Sequence, residues 1–336
     1  MTIRDVARRA GVSVATVSRF LNRSAPASPE VAERIQRVMD ELSYVPHATA
    51  RQLATRKTHT IGLLLTNMHN DFFAPLLSGI ESLVSQNGYN LLVATYRPGL
   101  RKKHHPPVGP HNTDGLLVFA DSLDNEQITR MYEKKFPVVL IHRSPPHALP
   151  VPCVTVENRA AAFKMVNHLI EVHGKCRIVY MCGPAQQEDS SWREAGYKMA
   201  LEAHNIPFDE KLILVGEFER EIAYASMKEF LVNSPDFDAV FAGDDDSAIG
   251  VLKALKEAGY HVPDHIAVTG FDDLRLASYL NPPLTTVRAP TEQVGRVAVQ
   301  QLFRLIGDEK PELTILLPTE IVLRRSCGCV YEPDTM

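Results

Sequence analysis

The first 22 residues constrain the chain most strongly, because they follow a helix-turn-helix pattern. Apolar side chains fall at helical spacing on one face of the first segment: Ile3, Val6, Ala7 and Ala10. Thr2 and Asp5 are spaced as a capping box with Asp in place of Glu, and Gly11 breaks the helix. Ser13 is a natural N-cap for a second helix, which we expect to bury Val17, Phe20 and Leu21.

The outward face of the second helix is suited to reading DNA. Its expected outward or leading residues are Val14, Ala15, Thr16, Ser18, Arg19 and Asn22. In helix-turn-helix proteins the amino-terminal part of this helix enters the major groove. Small apolar groups suit a thymine methyl, and one arginine suits bidentate pairing with guanine. A helical hairpin inside a larger bundle is the alternative, but three further features favour a DNA-binding motif.

The first two of these features are a third helix and a basic charge. Ser28 is the expected N-cap of this helix and Pro29 lies in its first turn, followed by apolar Val31, Ile35, Val38 and Leu42. Residues 1–58 carry ten Lys and Arg against five acidic residues, a net charge of +5 in a chain whose total is −4. A basic domain joined to an acidic body places the phosphate-binding surface at one end.

The third feature is the segment from Tyr44 to Ala54. After Pro46 it is long enough for only about two helical turns, which are not stable alone in water. Leu53 has little local core to join, so we expect a hinge helix that orders on DNA and wedges this side chain into the minor groove. A linker whose Leu53 rests on the next domain is the alternative.

These segments resemble the lactose/galactose-repressor family of bacterial transcription regulators, and the resemblance runs from Thr2 to about Cys327. It implies that Val14 and Ala15 are the main base-reading pair, that Arg19 reads guanine and that Leu53 intercalates. His47 departs from the Asn or Ser that usually follows the proline. The candidate DNA-binding residues are Thr2, Ser13, Val14, Ala15, Thr16, Ser18, Arg19, Asn22, Tyr44 and Leu53.

The rest of the chain alternates short apolar runs with helical patterns, which predicts an α/β fold with mostly parallel sheets. Ten strands are expected, and they suit two Rossmann-like lobes better than one sheet: 60–66, 90–95, 115–119, 138–142, 154–157, 177–182, 212–215, 239–242, 266–270 and 284–288. The resemblance implies the type I periplasmic-binding-protein fold, with three crossovers and an effector cleft. The expected domains are a helix-turn-helix domain at 1–45, a hinge and linker at 46–58, and an effector-binding and dimerisation domain at 59–330.

Ligands of open α/β sheets bind beyond the carboxyl ends of the strands. The segments at these ends are polar with scattered aromatics, as a sugar pocket requires: 66–73, 142–143, 183–193, 217–218, 243–246 and 270–273. The resemblance implies that Arg193 clamps the ligand, that Asp272 accepts its hydroxyls and that Phe218 stacks on it. Further candidates are Phe72, Phe73, Arg143 and Asp244, and a structural loop role is the alternative for each.

Four features of the rest of the chain depart from the family pattern. Residues 244–246 are all Asp where Asn-Asp is usual, which favours a neutral, hydroxyl-rich ligand over an anion. His142 and Glu157 each stand where Asp is frequent. Residues 97–111 hold four prolines and two glycines in place of a crossover helix, so we expect an irregular connection and altered dimer or partner contacts there.

Metal binding and catalysis have weaker support. The five cysteines and the lack of a signal peptide or transmembrane run favour a reduced cytoplasm, with Cys153, Cys176 and Cys182 packing as small hydrophobes. Cys327 and Cys329 could bind metal or sense redox state, but their spacing is unusual for a metal site. Three histidines of the proline-rich loop are expected to be solvated and not to bind metal: His104, His105 and His111. The aspartates at 244–246 are better explained by helix capping and ligand contact than by a metal site.

No nucleotide-binding loop, nucleophile elbow or zinc-protease motif is present in the sequence, so neither an enzyme nor a cofactor is expected. The predicted function is a ligand-responsive transcriptional regulator, a homodimer on a pseudo-palindromic operator DNA, with a sugar as the small-molecule effector. A purine- or nucleoside-responsive regulator is one alternative, and a solute-binding protein is another. No leucine-heptad tail follows Cys329, which favours a dimer over a tetramer.

Overall fold

The computed structural model describes residues 1–22, 28–44, 57–69, 71–98, 105–233 and 236–330. Two compact units divide the chain, Met1–His59 and Thr60–Met336. The predictions for His47, Leu53 and His104 lie outside the described residues, as does the side chain of Asn22. No helix within the described ranges is both long enough and apolar enough to cross a membrane.

The first unit is a three-helix domain. Its helices are α1 (Ile3–Ala10), α2 (Val14–Asn22) and α3 (Pro29–Glu41). The expected caps are confirmed: Thr2 and Asp5 form the capping box, and the Ser13 and Ser28 hydroxyls accept backbone N–H groups at 3.0 and 3.4 Å. One buried cluster joins the three helices, with Phe20 and Leu21 packed against it: Val6, Ala7, Ala10, Val17, Ile35, Val38 and Met39.

The second unit alternates strands and helices. In chain order these are β1 (Thr60–Leu65), α4 (Phe73–Gln86), β2 (Asn90–Thr95), β3 (Gly115–Phe119), α5 (Asn125–Glu133), β4 (Val138–Ile141), β5 (Cys153–Val156), α6 (Asn158–His173), β6 (Ile178–Cys182), α7 (Glu188–Ala203), β7 (Ile213–Val215), α8 (Arg220–Val232), β8 (Ala239–Ala242), α9 (Asp245–Glu257), β9 (Ala267–Thr269), β10 (Thr286–Arg288), α10 (Thr291–Ile306), β11 (Thr314–Leu317) and β12 (Glu320–Val322).

Two parallel sheets define two lobes within this unit. The first lobe has the strand order β11-β5-β4-β3-β1-β2 and the second has β7-β6-β8-β9. Because β1 and β3 are central, both are continuous apolar runs in which every residue is buried except Thr60 at the start of β1. The chain passes between the lobes three times, after β5, after β10 and after β11, and β10 pairs with β12 in antiparallel fashion.

The ten expected strands are all present, with ends that differ from the prediction by no more than two residues. Two further strands, β11 and β12, were not predicted, because they are short and the residues of β12 are only half-buried or exposed. Between Arg97 and Asn112, the described residues 97–98 and 105–112 lie in turns, bends and coil. The described residues of this connection therefore agree with the expectation that it lacks a regular crossover helix.

Two glycines bring α4 and α10 into close contact. A Cβ atom at Gly79 would lie 2.1 Å from the carbonyl oxygen of Glu292, and one at Gly295 would lie 2.6 Å from that of Leu76. Both obstacles are backbone atoms, which cannot rotate away as a side chain can. The packing of this helix pair against the first sheet therefore requires glycine at both positions.

We predict that Gly79→Ala lowers the free energy of unfolding of the second unit by roughly 3 kcal/mol, at the upper end of the usual overpacking cost. Chemical denaturation followed by circular dichroism measures the change. Gly307→Ala is the matched control, because a Cβ there meets nothing closer than 3.4 Å. Equal stability of the two variants would contradict the close packing of α4 on α10.

Candidate functional site

The cleft between the two lobes is the candidate effector site. It encloses about 700 Å³ and is lined from both lobes by residues at the carboxyl ends of strands. Six of the seven predicted effector residues line it: Phe72, Phe73, Arg193, Phe218, Asp244 and Asp272. A larger groove of about 1230 Å³ shares Phe72 and Asp272 but lacks the other four, so the cleft is the better candidate.

Arg193, from α7, is the best-connected side chain of the cleft. It is only 3% exposed. Its Nε donates to Asn158 Oδ1 at 2.8 Å, Nη1 donates to the Gly243 carbonyl, and Nη2 lies 3.4 Å from Asp272 Oδ1. The guanidinium also stacks over Phe271, with 3.7 Å between Cζ and the ring centroid. A buried cation held in this way presents a fixed hydrogen-bonding edge to the cleft.

Asp189 is a cleft residue that the sequence analysis did not single out. Its carboxylate lies 2.7 Å from His142 Nδ1, accepts from Asn158 Nδ2 at 2.7 Å and lies 3.9 Å from Arg193. Burial alone would raise the pKa of Asp189, but His142 and Arg193 outweigh burial and hold that pKa below its usual value. The carboxylate therefore stays ionised and keeps the Arg193 side chain in place.

Two signals pointed towards this network. Asp189 lies inside the strand-end segment 183–193, and His142 was noted as a departure from the family pattern. Within the described residues, His142 Nε2 is buried without a hydrogen-bond partner. Other lining residues were missed because they are polar loop residues without a distinctive pattern: Asn67, Asp121, Gln186, Gln187 and Glu217.

Phe218 packs against the ends of β6 and β8. A Cβ at Gly183 would lie 2.1 Å from its ring, and one at Gly243 would lie 3.1 Å away, so the ring covers bare backbone. Phe218 and the preceding Glu217 both have left-handed φ values, +57° and +55°. Arg193 Cζ lies 5.3 Å from the ring centroid. The local backbone thus places an aromatic surface beside the guanidinium.

The three consecutive aspartates have different roles. Asp244 caps α9 by accepting the Ser247 N–H at 3.1 Å, as expected, and it also lines the cleft. Asp245 accepts from Thr286 Oγ1 at 2.5 Å and from the Leu274 N–H at 2.7 Å, so it ties α9 to β10. Asp246 pairs with Arg220 at 2.5 Å.

Burial changes the acidity of the aspartates in this part of the cleft. It raises the pKa of Asp244 from its usual 3.8 to about 7, and the negative charge of Asp272 adds to the rise. Burial also raises the pKa of Asp272, although Arg193 opposes that shift. At neutral pH the Asp244 carboxyl is therefore present in both protonation states, and it can donate or accept a hydrogen bond.

The wall contributed by the first lobe is aromatic. Phe72 is half-buried and lies 5.4 Å from the Phe73 centroid and 5.8 Å from the Phe119 centroid. Phe73 is only 5% exposed and mainly packs the core. The structure does not bring Arg143 into the cleft lining, because its guanidinium donates to the carbonyls of Ala120 and Leu123 and to Asn125 Oδ1.

The predicted DNA-binding residues lie on and around α2. Val14 is 42% exposed, and Ala15 and Arg19 are exposed beside it. Thr16, Ser18 and Tyr44 are half-buried, and the Thr2 and Ser13 residues are exposed at the helix starts. Tyr44 packs against the core of the three-helix domain. The exposed face of α2 therefore carries the predicted base-reading pair and the arginine.

A helix-turn-helix domain followed by a two-lobed α/β unit with an interlobe cleft defines the class of ligand-responsive DNA-binding regulators. Residues 2–47 match the family described as bacterial regulatory proteins, lacI family, and residues 166–327 match the periplasmic binding protein-like domain. The transcriptional regulator CelR of Thermobifida fusca is 33% identical over 338 residues, which cover 97% of this chain and 98% of CelR. The chain belongs to the lacI family of bacterial transcriptional regulators and is not an enzyme.

Solved structures agree with this assignment. A complex of the regulator CelR with cellobiose has a TM-score of 0.71 and 31% identity, covering 97% of this chain and 99% of that one. The lac repressor dimer bound to operator and the anti-inducer ONPF has a TM-score of 0.83 at 24% identity, with the same coverage. The second similarity shows the shared fold alone.

We predict that Asp244→Asn reduces the pH dependence of stability. A carboxyl whose folded pKa is raised stabilises the fold below its unfolded pKa of about 4, and this stabilisation is lost as pH rises through about 7. Stability of the wild-type protein should therefore fall from pH 5 to pH 8. The amide cannot ionise, and it should remove up to about 3 kcal/mol of that fall, since about two pH units separate pH 5 from the folded pKa and each is worth about 1.4 kcal/mol.

Urea denaturation at several pH values measures this change. The matched control is Asp264→Asn, since Asp264 is exposed and outside the cleft, and it should follow the wild-type curve. An Asp244→Asn curve parallel to that of the wild type would show that Asp244 does not titrate in this range.

Proposed function

We propose that this regulator binds a pseudo-palindromic operator as a homodimer and that a neutral sugar in the cleft controls its affinity for DNA. The observation that carries the proposal is the buried Arg193 guanidinium, set between the Asp189 and Asp272 carboxylates with the Phe218 ring beside it. Sugar hydroxyls both donate and accept, so they pair with an arginine and with carboxylates at once. The C–H surface of a sugar ring packs on an aromatic face.

The charge of the cleft supports a neutral ligand. Eight acidic residues and only two arginines line it, Arg97 and Arg193. An anionic ligand such as a sugar phosphate would meet net repulsion in a partly buried site, where charges are poorly screened. Carboxylates are strong acceptors for hydroxyl protons, so the same charge favours a polyol.

The size of the cleft and one relative also support a sugar. A volume of about 700 Å³ accommodates a pentose or hexose, with room for a glycoside. CelR, which is 31% identical in its solved structure, is described there in complex with cellobiose. A purine or nucleoside is the second candidate, and a ligand screen separates the two.

Control of DNA binding follows from linkage. A ligand that contacts both lobes favours one relative orientation of the lobes and shifts the population towards it. If that orientation also favours or disfavours an ordered hinge within 46–58, ligand and operator affinities are coupled reciprocally. On the DNA side, Val14, Ala15 and Arg19 read bases, and Leu53 enters the minor groove. The regulator acts in the cytoplasm, where the bacterial operator lies.

A solute-binding protein with the same two lobes is the rival from another class. It would need the cleft but has no use for a separate basic helix-turn-helix domain with an exposed arginine on α2. The family match over residues 2–47 therefore favours a regulator.

A thermal-shift screen tests the choice of ligand. A ligand at about 100 times its dissociation constant stabilises the folded protein by about 2.7 kcal/mol, enough to raise Tm by several degrees. We expect neutral pentoses, hexoses or their glycosides to give such a shift and the corresponding sugar phosphates to give none. A shift from nucleosides alone would replace the sugar with the second candidate.

We predict that Asp272→Asn abolishes the effector response at ligand concentrations that just saturate the wild type, while operator affinity in the absence of ligand stays within about threefold. Loss of one charged acceptor should weaken ligand binding by roughly 10- to 100-fold, because hydrogen bonds to charged groups contribute about 1.5–3 kcal/mol. Arg193→Lys should act in the same direction, since lysine lacks the planar fork that bonds Asn158 and Gly243 together.

Fluorescence anisotropy of labelled operator, with and without the ligand from the screen, measures both quantities. The exposed Asp264→Asn variant is the matched control and should respond as the wild type does. A normal ligand response from Asp272→Asn would remove this residue from the binding site.

We predict that Arg19→Ala weakens operator binding by about 1–3 kcal/mol and relaxes base preference at one position of each half-site. Binding to operators substituted at each base pair measures both effects. Arg37→Ala, exposed on α3, is the control and should leave base preference unchanged. A retained preference in Arg19→Ala would exclude its role in reading guanine.

A further inference from the structure

Four potential metal ligands meet in the second lobe, outside the cleft. His168 and His173 come from the last turns of α6, and Cys327 and Cys329 come from the segment after β12. One ligand atom from each side chain lies within 4.8 Å of all the others. Two imidazoles and two thiols form one of the ligand sets that hold structural zinc.

Three of the separations between these atoms match the sulfur–nitrogen edge of a zinc tetrahedron. With a Zn–S bond of about 2.3 Å and a Zn–N bond of about 2.0–2.1 Å, tetrahedral geometry places sulfur and nitrogen about 3.5 Å apart. Cys329 Sγ lies 3.4 Å from His168 Nε2 and 3.4 Å from His173 Nε2. Cys327 Sγ lies 3.7 Å from His168 Nε2. All three separations fit this value to within a few tenths of an ångström.

The backbone on both sides is shaped to bring the ligands together. Gly328, between the two cysteines, has a φ of +106° and lies so close to His173 that a Cβ would be 3.2 Å from its Nδ1. Glycine permits this turn, which directs both thiols towards α6. On the helix side, α6 ends at His173 with Gly174 as a left-handed cap, and the two imidazole centroids are 5.0 Å apart.

The segment that carries the cysteines is firmly held. The Ser326 hydroxyl donates to the Val268 carbonyl at 2.6 Å and accepts from the Thr285 N–H at 2.8 Å. The Thr285 hydroxyl lies 3.0 Å from Cys327 Sγ and so provides an outer hydrogen bond to that sulfur. Cys327 itself is only 2% exposed. The ligands are therefore positioned before any metal binds.

The charges of the four ligands also suit a metal. A neutral imidazole offers a lone pair to a metal ion, and a thiol offers its sulfur once the proton has left. A zinc ion would displace the two thiol protons to solvent, and two thiolates would then balance its charge of +2.

We propose that His168, His173, Cys327 and Cys329 form a structural zinc site that joins the end of the chain's third crossover to helix α6. Thiolate ligands select zinc over the oxygen-binding ions magnesium and calcium. With all four positions filled by protein, the site has no open position for catalysis. From the sequence, only the Cys327–Cys329 pair could be considered as a metal site, because the two histidines lie more than 150 residues away in the chain.

Metal analysis of the untagged, full-length protein tests the proposal. Purified under reducing conditions without chelator, the protein should contain one zinc per chain by mass spectrometry. Chelation should lower Tm, and zinc but not magnesium should restore it. Cobalt in place of zinc should give the intense visible bands of a tetrahedral ion with thiolate ligands. These measurements on the wild type do not depend on any variant folding.

Cys329→Ser and His173→Asn should each weaken zinc binding by more than about 100-fold, since even changes beyond the ligands cost 10- to 100-fold. Cys176→Ser is the matched control, because this thiol is exposed and outside the cluster, and it should keep full zinc content. Substoichiometric zinc in the wild type, equal zinc in Cys329→Ser and Cys176→Ser, or a Cys327–Cys329 disulfide in the freshly isolated protein would overturn the proposal.

Discussion

The arrangement of the cleft in the second unit depends most on the burial of one positive charge, the Arg193 guanidinium. Removing the Arg193 guanidinium from water costs several kcal/mol unless its donors are satisfied and its charge is balanced. Asn158, the Gly243 carbonyl and Asp272 satisfy the donors, and Asp189 adds a second negative charge nearby. These partners come from the first turns of α6 and α7 and from the loops after β8 and β9. The one cation thus specifies how four segments of the second lobe meet at the cleft.

Backbone strain is concentrated at the same place. Left-handed φ values occur at strand ends on both sides of the cleft: His142, Glu217, Phe218, Asp272 and Asp273. Each such residue costs on the order of 1–3 kcal/mol and persists only where its surroundings hold it. Here His142 is held by Asp189, and Asp273 by Arg288 and Arg324 at 2.7 Å each. The ion pairs of the cleft thereby maintain the backbone that orients its side chains.

The helix caps, the strands and the location of the cleft were predictable because each depends on local pattern. Thr2, Ser13 and Ser28 act through neighbours three residues away, and strand ends determine where a ligand lies. Long-range pairings were not predictable. The Asp189–His142 pair joins the two lobes, and the His168–Cys329 contact spans 161 residues. The Arg143 side chain hydrogen-bonds within its own lobe instead of lining the cleft. No local signal in one sequence encodes such pairs.

The strands β10 and β12, which link the two lobes, connect the cleft to the proposed zinc site. Asp272 faces the cleft, while the adjacent Asp273 binds Arg288 of β10 and Arg324 just after β12. A ligand that shifts Asp272 therefore acts directly on the two strands that link the lobes. Beyond Arg324, the chain is tied to β9 through Ser326 and then carries Cys327 and Cys329. Zinc bound there would fix the segment after β12 to the second lobe. Rotation of the lobes would then bend the crossovers themselves and would not release the carboxyl-terminal segment from the second lobe.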